Sequence, residues 1–292
     1  TDDSIKIIRS YRDSRIRLIE NKKNIGQSTS LNKGLDLALG EYIARMDQDD
    51  VSFPKRLQRQ VQYLEDNPDV CIVGTWLEQH DENNRTIRTI KLPMNKVYEC
   101  GFWVFGYGEN IFAHPSVMFK TKEIIALGGY GEDYDIAQDV DLWFRSAAKG
   151  FQFSNIPEVL FSYRIHSNQG SKIPKCQDEH NKALALLLSG ILLQNVDPHQ
   201  AARLRPVNFN DKYFSSENQI DEMFRLKEQV LRIFFKQYNL SAREILECAY
   251  WLWESLFRLC QLKFIRGSKM ALKSTRYCFS ILRSELSKKL KI

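Results

Sequence analysis

Strand-like apolar stretches alternate with segments of helical period through the first half of the chain, and this alternation most constrains the fold. Residues 41–46 read as a strand, 55–67 as a helix entered after Pro54, and 70–76 as a second apolar strand. Before them come a short helix at 5–11, a strand at 16–19 and a helix at 28–39 that Gly40 closes as a C-terminal cap would. Further on lie a strand at 115–119, a Gly128–Gly131 turn, a helix at 139–149 and two short strands around Pro157. Strands separated by helices of about a dozen residues predict βα units, hence an α/β fold with a mostly parallel sheet flanked by helices.

From residue 174 onward the chain is helix-rich, with candidates at 178–194, 217–238, 241–264 and 268–291. The expected organisation is an α/β unit over 1–173 and a helical C-terminal region over 174–292 within the 292 residues. The six cysteines are scattered with no CxxC pair, so they read as buried thiols of a reducing cytoplasm rather than as disulfides or zinc ligands. The longest apolar run, 183–193, is too short for the roughly 20 residues of a membrane-spanning helix. A net charge of +6 suits an anionic substrate or lipid surface and falls well below a nucleic-acid-binding footprint. Much of the positive charge sits in 257–292, where Glu285 is the single acid. Such a basic amphipathic segment either lies on an anionic membrane face or packs its apolar side on the α/β unit.

The chemistry concentrates in Asp47-Gln48-Asp49-Asp50, directly after the 41–46 strand. Open α/β sheets bind ligands beyond the carboxyl ends of their strands. Three neighbouring carboxylates repel unless a cation neutralises them, and hard oxygens suit Mg²⁺ or Mn²⁺ shared with a substrate's phosphates. Taken alone, the stretch reads equally well as a solvated acidic turn.

Its surroundings narrow the choice. Asn24-Ile25-Gly26, Asn32-Lys33-Gly34, Ala38 with Gly40-Glu41-Tyr42-Ile43, and then Asp47-Gln48-Asp49-Asp50 fall in one order. His114-Pro115-Ser116, Gln138-Asp139-Val140-Asp141-Leu142-Trp143 and Tyr163-Arg164-Ile165-His166 continue it. Over about 170 residues this closely resembles glycosyltransferase family 2. The resemblance implies a GT-A-type catalytic domain that transfers a sugar, with inversion, from a nucleoside diphosphate sugar to an acceptor hydroxyl. It implies Asp47 on the nucleotide's ribose, Asp49 as ligand of the Mn²⁺ or Mg²⁺ that bridges the diphosphate, and Asp50 as a further metal-side carboxylate. His166 would complete the metal site, Arg164 the donor site, and Asn32 and Lys33 would lie near the nucleotide. Asp139 corresponds to the family's catalytic base, with Gln138 where a Glu is usual. At a helix N-terminus Asp139 is expected to have a lowered pKa and stay ionised.

The same resemblance suggests a UDP-sugar donor and a saccharide or lipid-linked acceptor, in bacterial surface-polysaccharide or glycolipid synthesis. The setting would be cytoplasmic, or peripheral on the inner face of the plasma membrane. Thr1-Asp2-Asp3 looks like the tail of the family's second strand, which implies an absent βαβ opening of about 30 residues. Two rival readings follow. A catalytically inactive remnant would act, if at all, by binding a partner or membrane and would show no metal-dependent nucleotide binding. A nucleotidyltransferase would want a glycine-rich phosphate loop near its first strand, and the settings of Asp139 and His166 argue against it.

Overall fold

A computed structural model of the chain describes residues 2–92, 111–167, 169, 174–204, 216–237, 241–243, 245–246, 280 and 282–288. Its centre is a six-stranded sheet in the order β1–β5–β3–β6–β2, with β4 beside β3. The strands are β1 (Tyr42–Ala44), β2 (Val51–Ser52), β3 (Val70–His80), β4 (Thr86–Ile90), β5 (Met118–Lys120) and β6 (Gln152–Arg164). The helices are α1 (Ser4–Ser10), α2 (Gln27–Leu37), α3 (Arg56–Asp66), α4 (Thr121–Ala126), α5 (Gln138–Ala148), α6 (Pro174–Leu192), α7 (Pro198–Leu204) and α8 (Glu217–Gln237).

Period-two geometry explains why β3 begins as an unbroken apolar run. Ile72 pairs with Phe119, and Val73 with Met118. Successive residues point to opposite faces, so Ile72 and Phe119 enter one core cluster while Val73 and Met118 enter another with Leu64 of α3. A strand covered on both faces has no polar side to show. α3 presents Arg56, Gln60 and Leu64, spaced by four, as one buried stripe. The Gln60 amide donates to the carbonyls of Val73 and Ser116. The Arg56 guanidinium donates to those of Arg45 and Val117 and to the Gln60 side-chain oxygen. It also lies 4.8 Å from the centre of the Phe161 ring.

The sheet is mixed, and this corrects the expectation of a mostly parallel one. β3–β6 is the one parallel pairing among the described residues; β1–β5, β2–β6, β3–β4 and β3–β5 are antiparallel. Only 81–85 separate β3 from β4, room for a hairpin and not for a crossover helix. The two short strands expected around Pro157 are one strand, β6. Its register against β3 shifts where Thr75 pairs with Ile156 and Trp76 with Val159. Pro157 and Glu158 bulge out there, so the proline owes the ladder no N–H.

The strand expected at 16–19 is absent: Ile16, Leu18 and Ile19 lie exposed, and α1 buries no residue. Three apolar side chains make a strand only where a neighbour offers backbone partners and a covering layer. Around residue 174 the apolar core is continuous, since Leu184 and Leu188 of α6 and Phe224 of α8 join Leu142 and Trp143 of α5 in one cluster. The helices expected at 241–264 and 268–291 fall largely outside the described residues. Among the described residues no helix is long and apolar enough to cross a membrane.

Candidate active site

β1 ends at Ala44, and the chain then runs along the sheet's edge: the Arg45 amide still donates to the Val117 carbonyl at 3.0 Å. β2 then pairs Val51 with Ser162 and Ser52 with Phe161, which carries the acidic turn up against the end of β6. There the Arg164 amide donates to Asp50 Oδ1 at 2.9 Å, and Arg164 Nε to the Asp49 carbonyl at 3.1 Å. His166 Nε2 lies 3.2 Å from Asp49 Oδ2. Of the candidates named from the sequence, the structure thus brings Asp47, Asp49, Asp50, Arg164 and His166 to one place.

Ligand oxygens of Asp47, Asp49 and Asp50 lie within 4.8 Å of one another. Asp50 is 6% exposed, and its Oδ2 has no hydrogen-bond partner among the described residues. Burial raises its pKa to about 7; the Arg164 amide opposes that rise, and the charges of Asp49 and Asp47 add to it. A half-satisfied buried carboxylate among two others is what a divalent cation would relieve. All-oxygen donors with one imidazole suit Mg²⁺ or Mn²⁺.

Asp139 stands in the first turn of α5. One of its carboxylate oxygens accepts the Val140 amide at 2.8 Å. Its pKa is raised to about 6, not lowered as expected. Desolvation outweighs the backbone bond and the charge of Arg45, and Asp47 adds repulsion. No side chain caps α5 from its own N-cap, Ala137. Glu179 of α6 holds the turn just before the helix, accepting the amides of Asp135, Ile136 and Ala137. Asp141 is turned away from the site: its Oδ2 accepts Arg145 Nε and Nη2, and Arg145 in turn holds the carbonyls of Leu127 and Gly129.

Behind the acids lie His114 and Tyr130, joined at 2.9 Å between Nε2 and the hydroxyl. The His114 ring stands edge-on to Trp143. Burial, helped by the nearby Arg45 charge, pushes the imidazole pKa well below its usual value, so it stays neutral. Arg45 is 6% exposed, and its Nη2 lies 2.5 Å from Asp47 Oδ1. Arg45 and Glu179 were not among the residues singled out from sequence. Arg45 had a readable signal, because period two places it on the face of β1 shared by Ile43, which packs on the core.

Asn32 and Lys33 make their contacts elsewhere. The Asn32 amide clamps the Tyr130 backbone, accepting its N–H at 2.8 Å and donating to its carbonyl at 2.9 Å. Gly129 is required beside it: its φ is +68°, and a Cβ there would lie 2.6 Å from Asn32 Oδ1. Lys33 is exposed and donates to Asn21. A cavity of about 540 Å³ lies between the N-terminus of α2 and the Glu132–Asp135 loop. Gln27 lines it and accepts a hydrogen bond from Gln138, the neighbour of Asp139.

Comparisons with known proteins meet this geometry. Residues 1–124 match the family model described as Glycosyl transferase family 2. An uncharacterized glycosyltransferase of Methanocaldococcus jannaschii is 37% identical over 174 residues, covering 58% of this chain and 59% of that protein. The UDP-Gal:alpha-D-GlcNAc-diphosphoundecaprenol beta-1,3-galactosyltransferase of Escherichia coli is 32% identical over 144 residues, covering 49% of this chain and 51% of its own. The chain therefore spans between half and three fifths of the length of these two relatives. The crystal structure of S. aureus TarS 1-349 aligns with a TM-score of 0.50 and 12% identity over 97% of this chain and 79% of that one. At that identity the likeness shows the fold alone, an α/β sheet of the GT-A type.

Proposed function

We propose, from the match of residues 1–124 to the model of Glycosyl transferase family 2, that the protein transfers a hexose from a UDP-sugar to an acceptor hydroxyl with inversion. The observation that carries this reading is one constellation: three mutually repelling carboxylates, one with a buried orphan oxygen, beside a fourth whose pKa is about 6. Asp49 and His166 would hold the divalent cation, with Asp50 behind them. When bound, it would supply Lewis-acid stabilisation of the departing diphosphate.

The protein's own residues do the rest. Asp47 binds the nucleotide's ribose, and Arg164 steadies the donor while its amide and guanidinium fix Asp50 and the Asp49 backbone. Asp139 takes the acceptor's proton. With a pKa of about 6 it is ionised at neutral pH yet basic enough to accept, the match that general-base catalysis favours. A single displacement inverts the anomeric centre. Asn32 serves from behind by fixing Tyr130, and Lys33 is assigned no part. The cavity beside Gln27 and Gln138, with acidic Glu132 and Asp135 in its wall, suits a hydroxyl-rich saccharide acceptor.

A lipid-linked acceptor fits the name of the E. coli relative. The basic segment 257–292 would bring the chain to the cytoplasmic face of an anionic bilayer. The test is turnover of UDP-galactose with Mn²⁺ and an N-acetylglucosaminyl diphospholipid, the product's anomer being read by NMR. We expect a β-linked product, and Asp139→Asn slower by about 10²–10⁴-fold. An α-linked product, or an unimpaired Asp139→Asn, would contradict the reading.

A further inference from the structure

Two buried arginines stand side by side at the end of β1, and they are treated differently. Arg56, 1% exposed, is knitted to Gln60 and to the carbonyls of Arg45 and Val117. Arg45, 6% exposed, uses Nη2 on Asp47, while its Nε and Nη1 have no hydrogen-bond partner among the described residues. Burying a charged donor without a partner is costly, so such a group calls for an acceptor from protein, water or a ligand. Neutralising Asp47 needs one nitrogen and leaves the other two unexplained.

Position says what they meet. Asp49 turns to Arg164 and His166, on the side assigned to the diphosphate. Arg45 lies close to both groups: its charge acts on Asp50, which the Arg164 amide holds, and equally on Asp139, Tyr130 and His114. In a direct displacement the transferred sugar must lie between the leaving diphosphate and the base. Asp47, 29% exposed at its side chain, is the partly solvated partner of the buried Arg45.

We propose that Arg45 is a donor-recognition residue: once Asp47 turns to the nucleotide, the Arg45 guanidinium gives its Nε and Nη1 hydrogens to hydroxyl oxygens of the transferred sugar. This rests on the glycosyltransferase reading and extends it to a residue that selects for the sugar rather than for the nucleotide.

Calorimetry tests it with Mn²⁺ present, using UDP alone and then UDP-galactose, UDP-glucose and UDP-N-acetylglucosamine. The quantity is the ratio of UDP affinity to that of the tightest sugar nucleotide, for the unaltered protein, Arg45→Gln and Arg45→Lys. We expect the sugar's contribution to fall about tenfold in Arg45→Gln, the scale of one charged hydrogen bond lost. Arg45→Lys keeps a cation beside Asp47 and should fold as the parent does, yet lose most of the same contribution. A ratio unchanged within about twofold overturns the proposal, including the case where UDP and sugar-nucleotide affinities fall together, which would assign Arg45 to the phosphates. Absence of Mn²⁺-dependent UDP binding in the unaltered protein would bring down the functional reading itself, a result separable from failure at Arg45 alone.

Discussion

Residues 2–25 and strand β3 carry comparable apolar side chains and meet opposite fates. Ile5, Ile7, Ile16, Leu18 and Ile19 stay exposed, whereas Cys71, Ile72, Val73 and Leu77 are buried. β3 has hydrogen-bonded neighbours on both sides, β5 and β6, and a helix packed on it, α3. Among the described residues the first segment has no strand beside it. Hydrophobic residues thus state a demand for burial, and pairing and covering layers decide whether it is met. The site inherits this contrast. Asp49, Asp50, Arg164 and His166 sit where β2 and β6 are tied to the sheet, while the region named for the nucleotide, around Asn32 and Lys33, packs against the Gly128–Tyr130 turn and Asn21.

The largest effect that would sharpen the comparison is on stability. Ile72→Ala should cost about 2–5 kcal/mol, because nothing can refill a fully covered position in a two-sided strand. Denaturant titration checks it, and a loss below about 1 kcal/mol would mean the two regions differ less than their burial says.

Next comes the acidic site. The folded pKa values of Asp50 and Asp139, about 7 and about 6, lie above the ordinary 3.8. The folded state therefore binds protons more readily than the unfolded one. The stability these groups lend below about pH 4 is lost as pH rises to about 7. Thermal melts in chelator should show the midpoint falling across that window, with Asp50→Asn flattening the slope and Mn²⁺ restoring the midpoint near neutrality. A slope unchanged in Asp50→Asn would break the account.

The smallest effect belongs to the first segment: Leu18→Ala should shift stability by no more than about 0.5 kcal/mol. A loss of core size there would show that residues 2–25 are covered in solution.

Much of the sheet was readable from sequence because β3, α3 and α5 carry strong periodicity, and the acid turn declared itself by its place after a strand. Pairing direction was not readable, since an apolar run looks alike whether its neighbour is parallel or antiparallel. The raised pKa of Asp139 escaped for a related reason. A helix N-terminus is visible in sequence, but the desolvation that overrides it comes from the residues that surround Asp139 only once the chain is folded. Glu179 lies 40 residues beyond Asp139, so its hold on the turn before α5 follows from tertiary packing and from no local motif. Asn32 matched a motif position, yet its amide is taken up by the Tyr130 backbone, a partner 98 residues away.

The most direct test of the central claim, that the Asp47–Asp50 turn with His166 holds a cation for a nucleotide diphosphate, is calorimetric titration with UDP, with and without Mn²⁺, of the unaltered protein and of Asp49→Asn. The account predicts binding that requires Mn²⁺ and disappears in Asp49→Asn while the fold persists. Binding that ignores Mn²⁺, or that survives in Asp49→Asn, would contradict it.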